Sequence, residues 1–233
     1  MKKQTLLLII FLLASVNSIA CVCGRISTAE NFKRASFVAT IKLIKITPDL
    51  LNSNYHNAEV EIINLYKGEA LKTIKIASVL KSSCKFLPPE NSTWLVFAST
   101  WEGVLSFGYC TSTLQSSGGN ELELLTVDYL KEHNITDPNP SQLVYSTPYD
   151  YKLKYYNNRN KMAVYRVDVN AGLSIGKIKS LQRFDNNRLN TAYLKILRKG
   201  LKITKSPALT KPTYLIIFCY HAGSNPERTF LSY

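Results

Sequence analysis

The sequence predicts a mainly β protein with α elements (α+β class): a five-stranded barrel that closes on itself, followed by a small ββαβ domain. Three observations carry this prediction. Short apolar or alternating runs bounded by Pro, Asn, Asp and Gly recur through the first half, behind one short helical pattern. Two breaks, Ser116-Ser117-Gly118-Gly119-Asn120 and Asp137-Pro138-Asn139-Pro140-Ser141, flank an amphipathic stretch and separate these runs from the rest. After residue 160 come two strand-like runs around a Gly turn, an amphipathic helix and a closing apolar run.

The first twenty residues stand apart. Lys2 and Lys3 precede an almost unbroken apolar run from Leu6 to Val16, and Ser18-Ile19-Ala20 offers small residues where a signal peptidase reads. The expectation is a signal peptide over 1–20 and an exported chain, secreted or held in a periplasm or cell envelope, with Cys21 first after cleavage. The apolar run falls short of the ~20 residues a spanning helix needs, and no later stretch comes near it, so no transmembrane span is expected. A cysteine just after a signal is also where bacterial lipoproteins are acylated, which leaves a lipid anchor at Cys21 as the alternative. That reading needs Leu, Val or Ile where Ser18 sits, and plain cleavage is preferred.

Within the expected barrel domain, residues 21–135, Ser27-Thr28-Ala29-Glu30 reads as a capping box that opens a short helix with Phe32 and Ala35 inward. Strands are expected over Phe37–Ile46, Ala58–Tyr66, Thr73–Val79, Thr93–Ser99 and Val104–Tyr109, with turns at Pro48-Asp49, Asn52-Ser53-Asn54, Lys67-Gly68, Pro88-Pro89-Glu90-Asn91 and Glu102-Gly103. Glu121 to His133 reads as a helix with Leu122, Leu125, Tyr129 and Leu130 on one side, packed on the barrel. A linker over 136–160 follows, with Tyr145, Tyr149, Tyr151, Tyr155 and Tyr156 expected half-buried. The second domain, 161–233, is expected to run Met162–Val169, a turn at Asn170-Ala171-Gly172, Leu173–Leu181, a helix capped by Asp185 and stopped by Gly200, and a strand Thr213–Tyr220. Leu189, Ala192, Tyr193, Ile196 and Leu197 form the inner face of that helix; Lys195, Arg198, Lys199 and Lys202 form its basic outer face.

Charge separates the halves. From Cys21 to Leu125 ten Lys/Arg face nine Asp/Glu, whereas from Thr126 to Tyr233 seventeen face seven, so almost the whole excess is C-terminal. Such a surface suits anionic lipid, polysaccharide or an acidic protein, or is simply a solvated face; nucleic acid is not expected outside the cytoplasm.

Five cysteines, at 21, 23, 84, 110 and 219, lie in a chain expected in an oxidising compartment, where each disulfide contributes roughly 2–4 kcal/mol. Four fall in the first half and make two bridges there. A Cys21–Cys23 ring is strained and set aside, leaving two connectivities. A zinc site is the competing use, but the usual short-spaced second pair is missing. Cys219, inside Leu215-Ile216-Ile217-Phe218-Cys219, reads as a buried small apolar residue rather than half of a thiol–imidazole pair with His221, which is read as a surface histidine.

The order Cys21-x-Cys23, a short helix, "ASFVATIKLIKI", "AEVEIINLYKG" with Tyr66-Lys67-Gly68 at the strand end, Cys84 after an exposed loop, "TWLVFAS", "GVLSFGYC" and then a helix resembles the tissue inhibitors of metalloproteinases and their wider netrin-like module, over about residues 21–130. The resemblance implies an OB-like barrel with Cys21–Cys84 and Cys23–Cys110 bridges. It implies inhibition of a zinc metalloprotease, with Cys21 chelating the protease's zinc in trans through its α-amino nitrogen and carbonyl oxygen. Cys21, Val22, Cys23 and Gly24 would form the inhibitory edge, and Val22 would enter the specificity pocket where the family usually carries Thr or Ser. The chain departs from the family in Gly24-Arg25-Ile26, which replaces a Pro-rich continuation, and in lacking the partners of a third bridge and the cysteine-rich C-terminal domain. Residues 160–220 also resemble the C-terminal domain of TonB-type energy transducers, which would imply a strand edge able to accept a partner strand.

No Gly-x-Ser-x-Gly elbow, His-Glu-x-x-His or phosphate-binding glycine loop is present, so no enzyme and no cofactor is expected. The sequence thus reads as an exported binding protein that blocks a zinc endopeptidase through Cys21. The alternative is a secreted or envelope scaffold, lipidated or not, that binds other extracellular or envelope proteins without inhibiting anything.

Overall fold

The computed structural model describes residues 23, 26–114, 120–147, 153, 156, 161–205, 209–221 and 230–231. The protein is mixed α and β, mostly strand, with three helices among these residues. The expected signal, residues 1–20, lies outside them, as do Tyr149, Tyr151 and Tyr155.

Helix α1 (Thr28–Arg34) starts where Ser27 Oγ accepts from Glu30 N at 3.2 Å. Glu30 turns its carboxylate to Arg34 at 2.7 Å, an i,i+4 pair. Ala29 and Phe32 face inward. Strands β1 (Phe37–Pro48), β2 (Tyr55–Lys67), β3 (Thr73–Ala77), β4 (Thr93–Trp101) and β5 (Val104–Gly108) pair in the order β1-β2-β3-β5-β4, and a β1–β4 ladder closes the barrel. Three register shifts along β1–β2 mark the irregularities at which these long strands bend round it. Alternation decides what fills it: Phe37, Ala39, Ile41 and Leu43 point inward with Ile74, Ile76, Val96, Ala98 and Phe107. Past a single 3-10 turn at Tyr109–Thr111, β6 (Ser112–Leu114) continues along the same edge of β4.

Helix α2 (Glu121–Glu132) buries Thr126, Val127, Tyr129 and Leu130. The stretch expected to link the halves is fixed in place. Asn139 brackets Leu143 by two side-chain bonds of 2.9 Å, and Ile216 N donates to Pro138 O at 2.9 Å. Its strand β7 (Val144–Ser146) pairs with β10 (Lys202–Lys205).

Strands β8 (Met162–Val169), β9 (Ile175–Gln182), β11 (Thr213–Tyr220) and β12 (Phe230–Leu231) form a second sheet in the order β12-β11-β8-β9. The β8–β9 turn is longer than its Asn-Ala-Gly signal: Asn170 N donates to Ser174 O, and Leu173 joins Gly172 at positive φ, so β9 begins at Ile175 and not at Leu173. Helix α3 (Asn187–Gly200) is capped by Asn186, whose side chain accepts from Arg188 N and Leu189 N. Asp185 does not take that place, because Asn186 is the last residue with extended backbone.

Three apolar clusters order the molecule. One fills the barrel. A second lies between α3 and one face of the second sheet, with Tyr165, Val167, Leu215, Ile217 and Cys219 against Leu189, Tyr193 and Leu197. The third joins the halves: Val38, Leu95 and Phe97 on the barrel's outer wall, Phe32 of α1, Val127 and Leu130 of α2, and Met162, Val164, Ile216 and Phe218 on the sheet's other face.

Candidate functional site

Strand register brings the sequence-predicted region to one end of the barrel. β3 runs parallel to β5 with Ala77 beside Gly108, so the loop after β3 and the turn after β5 leave together. Tyr55 pairs with Ala77, which sets the β1–β2 loop on the same rim. Ser78 N and Val79 N donate to Asn54 O at 2.9 and 3.2 Å, and His56 Nδ1 bonds Ser78 Oγ at 2.8 Å, tying the two loops. Phe86 closes this end from within, edge-on to Trp94 at 5.5 Å and Phe107 at 6.3 Å.

Cys110 sits in the 3-10 turn that interrupts the β5–β6 edge and is bridged to Cys23, across 87 residues of chain, with Cα atoms 5.3 Å apart. This pairing is the one the inhibitor resemblance implies. Cys84 lies exposed in the loop after β3, its N–H donating to Ser82 Oγ at 3.1 Å; it is disulfide-bonded to a partner outside the described residues. Cys21, Val22 and Gly24 also lie outside them.

Five of the eleven large hydrophobic side chains exposed among the described residues lie on the loops at this end. Leu50 and Leu51 at the tip of the β1–β2 loop are each 97% exposed, and Leu80, Leu87 and Tyr109 are exposed on the neighbouring loops. Asp49 positions the leucines: its Oδ1 accepts from Leu51 N at 2.9 Å and its other oxygen pairs with Lys75. The Lys75 ammonium and the Leu51 N–H hold the Asp49 carboxyl below the usual carboxylate range. The sequence marks Pro48-Asp49 and Asn52-Ser53-Asn54 as turns, and the signal of the exposed tip is the pair of leucines between these two sets of turn residues, where polar side chains are the rule.

The Tyr66-Lys67-Gly68 motif is structural. Tyr66 Oη and Thr40 Oγ1 are 3.3 Å apart and buried, and burial raises the Tyr66 pKa. Lys67 Nζ donates to Phe32 O at 2.8 Å and Lys33 O at 3.1 Å, satisfying carbonyls at the end of α1, and burial lowers its pKa. Gly68 has φ +88°, and a Cβ there would lie 2.7 Å from Ser36 O.

Cys219 is free and fully buried, and burial pushes its pKa well above that of an ordinary thiol. His221 is buried too, contrary to its expected surface position, because β11 carries it under α3 beside Phe184 and Tyr193. Its Nε2 bonds Tyr156 O at 2.7 Å and its Nδ1 has no partner, so among the described residues the imidazole makes no hydrogen bond to the Cys219 thiol. Among the described residues no group of three or more His, Cys, Asp or Glu is placed to hold a metal, and no helix is long and apolar enough to cross a membrane.

No protein-family model matches the chain, and no curated protein sequence is significantly similar to it.

Proposed function

We propose that the chain is an exported binding protein whose barrel end docks on a zinc endopeptidase, with Cys21, freed by signal removal, as the chelating residue. The observation that carries this reading is the Cys23–Cys110 bridge, which fastens the chain two residues after Cys21 to the rim where Leu80, Leu87 and Tyr109 are exposed. A disulfide-bonded Cys84 on the same rim supports Cys21–Cys84 as the second staple. The β1-β2-β3-β5-β4 order closing on β1 supports the OB-like label, and the β8-β9-α3-β11 order supports reading the second half as a ββαβ unit.

A catalytic zinc keeps one open position for water or substrate, and a neutral amine beside a carbonyl oxygen fills it as a bidentate ligand. A terminal amine with a pKa of about 7.7–8.0 sheds its proton at small cost at neutral pH. Two staples leave the Cys21-Val22-Cys23 segment little freedom to lose on docking, which favours affinity. Val22 then faces the protease's specificity pocket, where its shape matches Thr without the hydroxyl.

The test is inhibition of a panel of zinc endopeptidases by the processed protein, by a form with one alanine ahead of Cys21, and by an N-acetylated form. Inhibition by the first and at least ~100-fold weaker inhibition by the other two is expected, since both lose the coordinating amine. Equal inhibition by all three sinks the chelation reading.

The scaffold reading is favoured by Leu50 and Leu51, whose exposure requires no free N-terminus. It predicts partner capture that is indifferent to acetylation and lost in Leu50→Glu/Leu51→Glu.

A further inference from the structure

We propose that the second sheet binds an extended acidic peptide segment, with carboxylates at alternate positions, in the cleft between β8, β9, β11 and residues 134–137. The cleft encloses about 530 Å3, a size common among ligand sites. Its floor is the sheet face, with Arg166 and Asp168 of β8, Lys177 and Lys179 of β9 and Tyr214 and Ile216 of β11, and its wall is residues 134–137.

The charges in this cleft are unbalanced in an informative way. Asp168 Oδ1 already accepts from Arg166 Nε at 3.0 Å, and Asp137 pairs with Lys33 at 3.0 Å. Lys177 and Lys179 are exposed and have no ion-pair partner among the described residues. Arg166 is the direct cross-strand neighbour of Lys179, and because Asp168 is committed to Arg166 it leaves the Lys179 ammonium without a counter-charge.

The geometry is also fixed before any ligand arrives. The Arg166 guanidinium lies 4.5 Å above the Tyr214 ring, Tyr214 Oη donates to Asp137 O at 3.1 Å, and Ile216 N donates to Pro138 O at 2.9 Å. Floor and wall are thereby joined, so little ordering is needed on binding. Lys177 and Lys179 both line the cleft as alternate residues of β9, beside the register shift between Ile175 and Ile178, and alternate residues of a strand lie about 7 Å apart. Carboxylates two residues apart on an extended chain have the same spacing, whereas a compact single anion meets only one ammonium. The concavity, with Ile216, Tyr214 and Leu181 among the charged groups of its lining, favours a chain with small apolar residues between its carboxylates over a flat lipid surface. The excess positive charge of the C-terminal half thus has, at this cleft, a specific use.

The test is fluorescence anisotropy of the full chain with a short labelled peptide carrying glutamate at alternate positions. Saturable binding that weakens with added salt is expected, with affinity falling about tenfold or more in Lys177→Glu/Lys179→Glu. That variant changes only two exposed side chains, so its melting temperature stays close to the parent's. N-acetylation at Cys21 leaves this binding unchanged, which separates it from the barrel-end reading. Undiminished affinity in the double variant, equal affinity for a peptide of the same composition with clustered glutamates, or preference for a sulfated oligosaccharide or anionic vesicles overturns the proposal.

Discussion

At the scale of single residues, the chain's most distinctive motifs divide into those that build the frame and those left over for binding. Lys67 and Tyr66 are framework: each spends its polar atom on a neighbour inside the protein, at the end of α1 or on Thr40. Gly68 is the sharpest case, because two independent constraints meet there. Its φ of +88° disfavours any side chain, and a Cβ would approach Ser36 O to 2.7 Å, so neither a rotamer change nor a small shift relieves the substitution. Gly68→Ala is expected to cost about 1–3 kcal/mol in denaturant unfolding. Gly103→Ala is the control: it also has positive φ but meets nothing within 4 Å, so it isolates the backbone contribution. An equal loss in both variants contradicts the steric half of this account.

At the scale of elements, α2 carries an acidic first turn in which the two glutamates have opposite fates. Glu121 is matched, bonding Lys161 at 2.5 Å and accepting from Tyr220 Oη at 2.6 Å. Glu123 is not: its Oε2 is buried without a partner, and burial raises its pKa above the usual carboxylate value. An acid with a raised folded-state pKa stabilises the fold when protonated. That contribution is fully present below the unfolded value near pH 4.3 and is lost as pH rises through the folded pKa. Glu123→Gln is therefore expected to raise the melting temperature at pH 7 and to give no gain near pH 3.5, read by thermal unfolding across pH. Equal gains at both pH values would point to a mechanism other than ionisation. The eight longer strands and the three helices were legible in the sequence because β-rich runs and periodicity report burial: the apolar run of β1 is buried from Phe37 to Ile41, and the i, i+3, i+4 face of α3 lies where the pattern put it. The short strands β6, β7, β10 and β12 were not expected, since two to four residues carry no period. Boundaries were less legible, since Asp185 and Asn186 offer similar capping groups and only the backbone angles choose between them. The exposed Leu50–Leu51 tip and the cleft beneath Arg166 were not legible. A pair of leucines reads as core until a loop's Asx turns hold it outward, and the cleft combines three strands and a loop that no local pattern connects.

At the scale of the whole molecule, the two halves that charge distinguishes in the sequence are bound by a common apolar layer. Phe218 of β11 lies at its centre, fully buried and edge-on to Tyr129 of α2 at 5.8 Å, in one cluster with Phe32 of α1 and Leu95 and Phe97 of the barrel wall. The segment between the halves adds polar ties, with Lys33 of α1 bonded to both Asp137 and Asn139 O. A cluster shared in this way cannot stay dry when one side unfolds: losing the second sheet exposes Phe32, Val127 and Leu130, and losing the barrel exposes Met162, Val164 and Phe218. Each half's stability therefore includes burial that only the other supplies, and the chain is expected to unfold in a single cooperative transition. Phe218→Ala removes a ring from the layer at a cost of about 3–5 kcal/mol. The consequence is felt in both halves: amides of β1 and β4 are expected to lose hydrogen-exchange protection together with those of β8 and β11. Unaltered protection in β1 and β4, or two separate calorimetric transitions in the parent protein, would mean that the barrel holds its shape without the sheet and that the shared layer is adhesion between independent units.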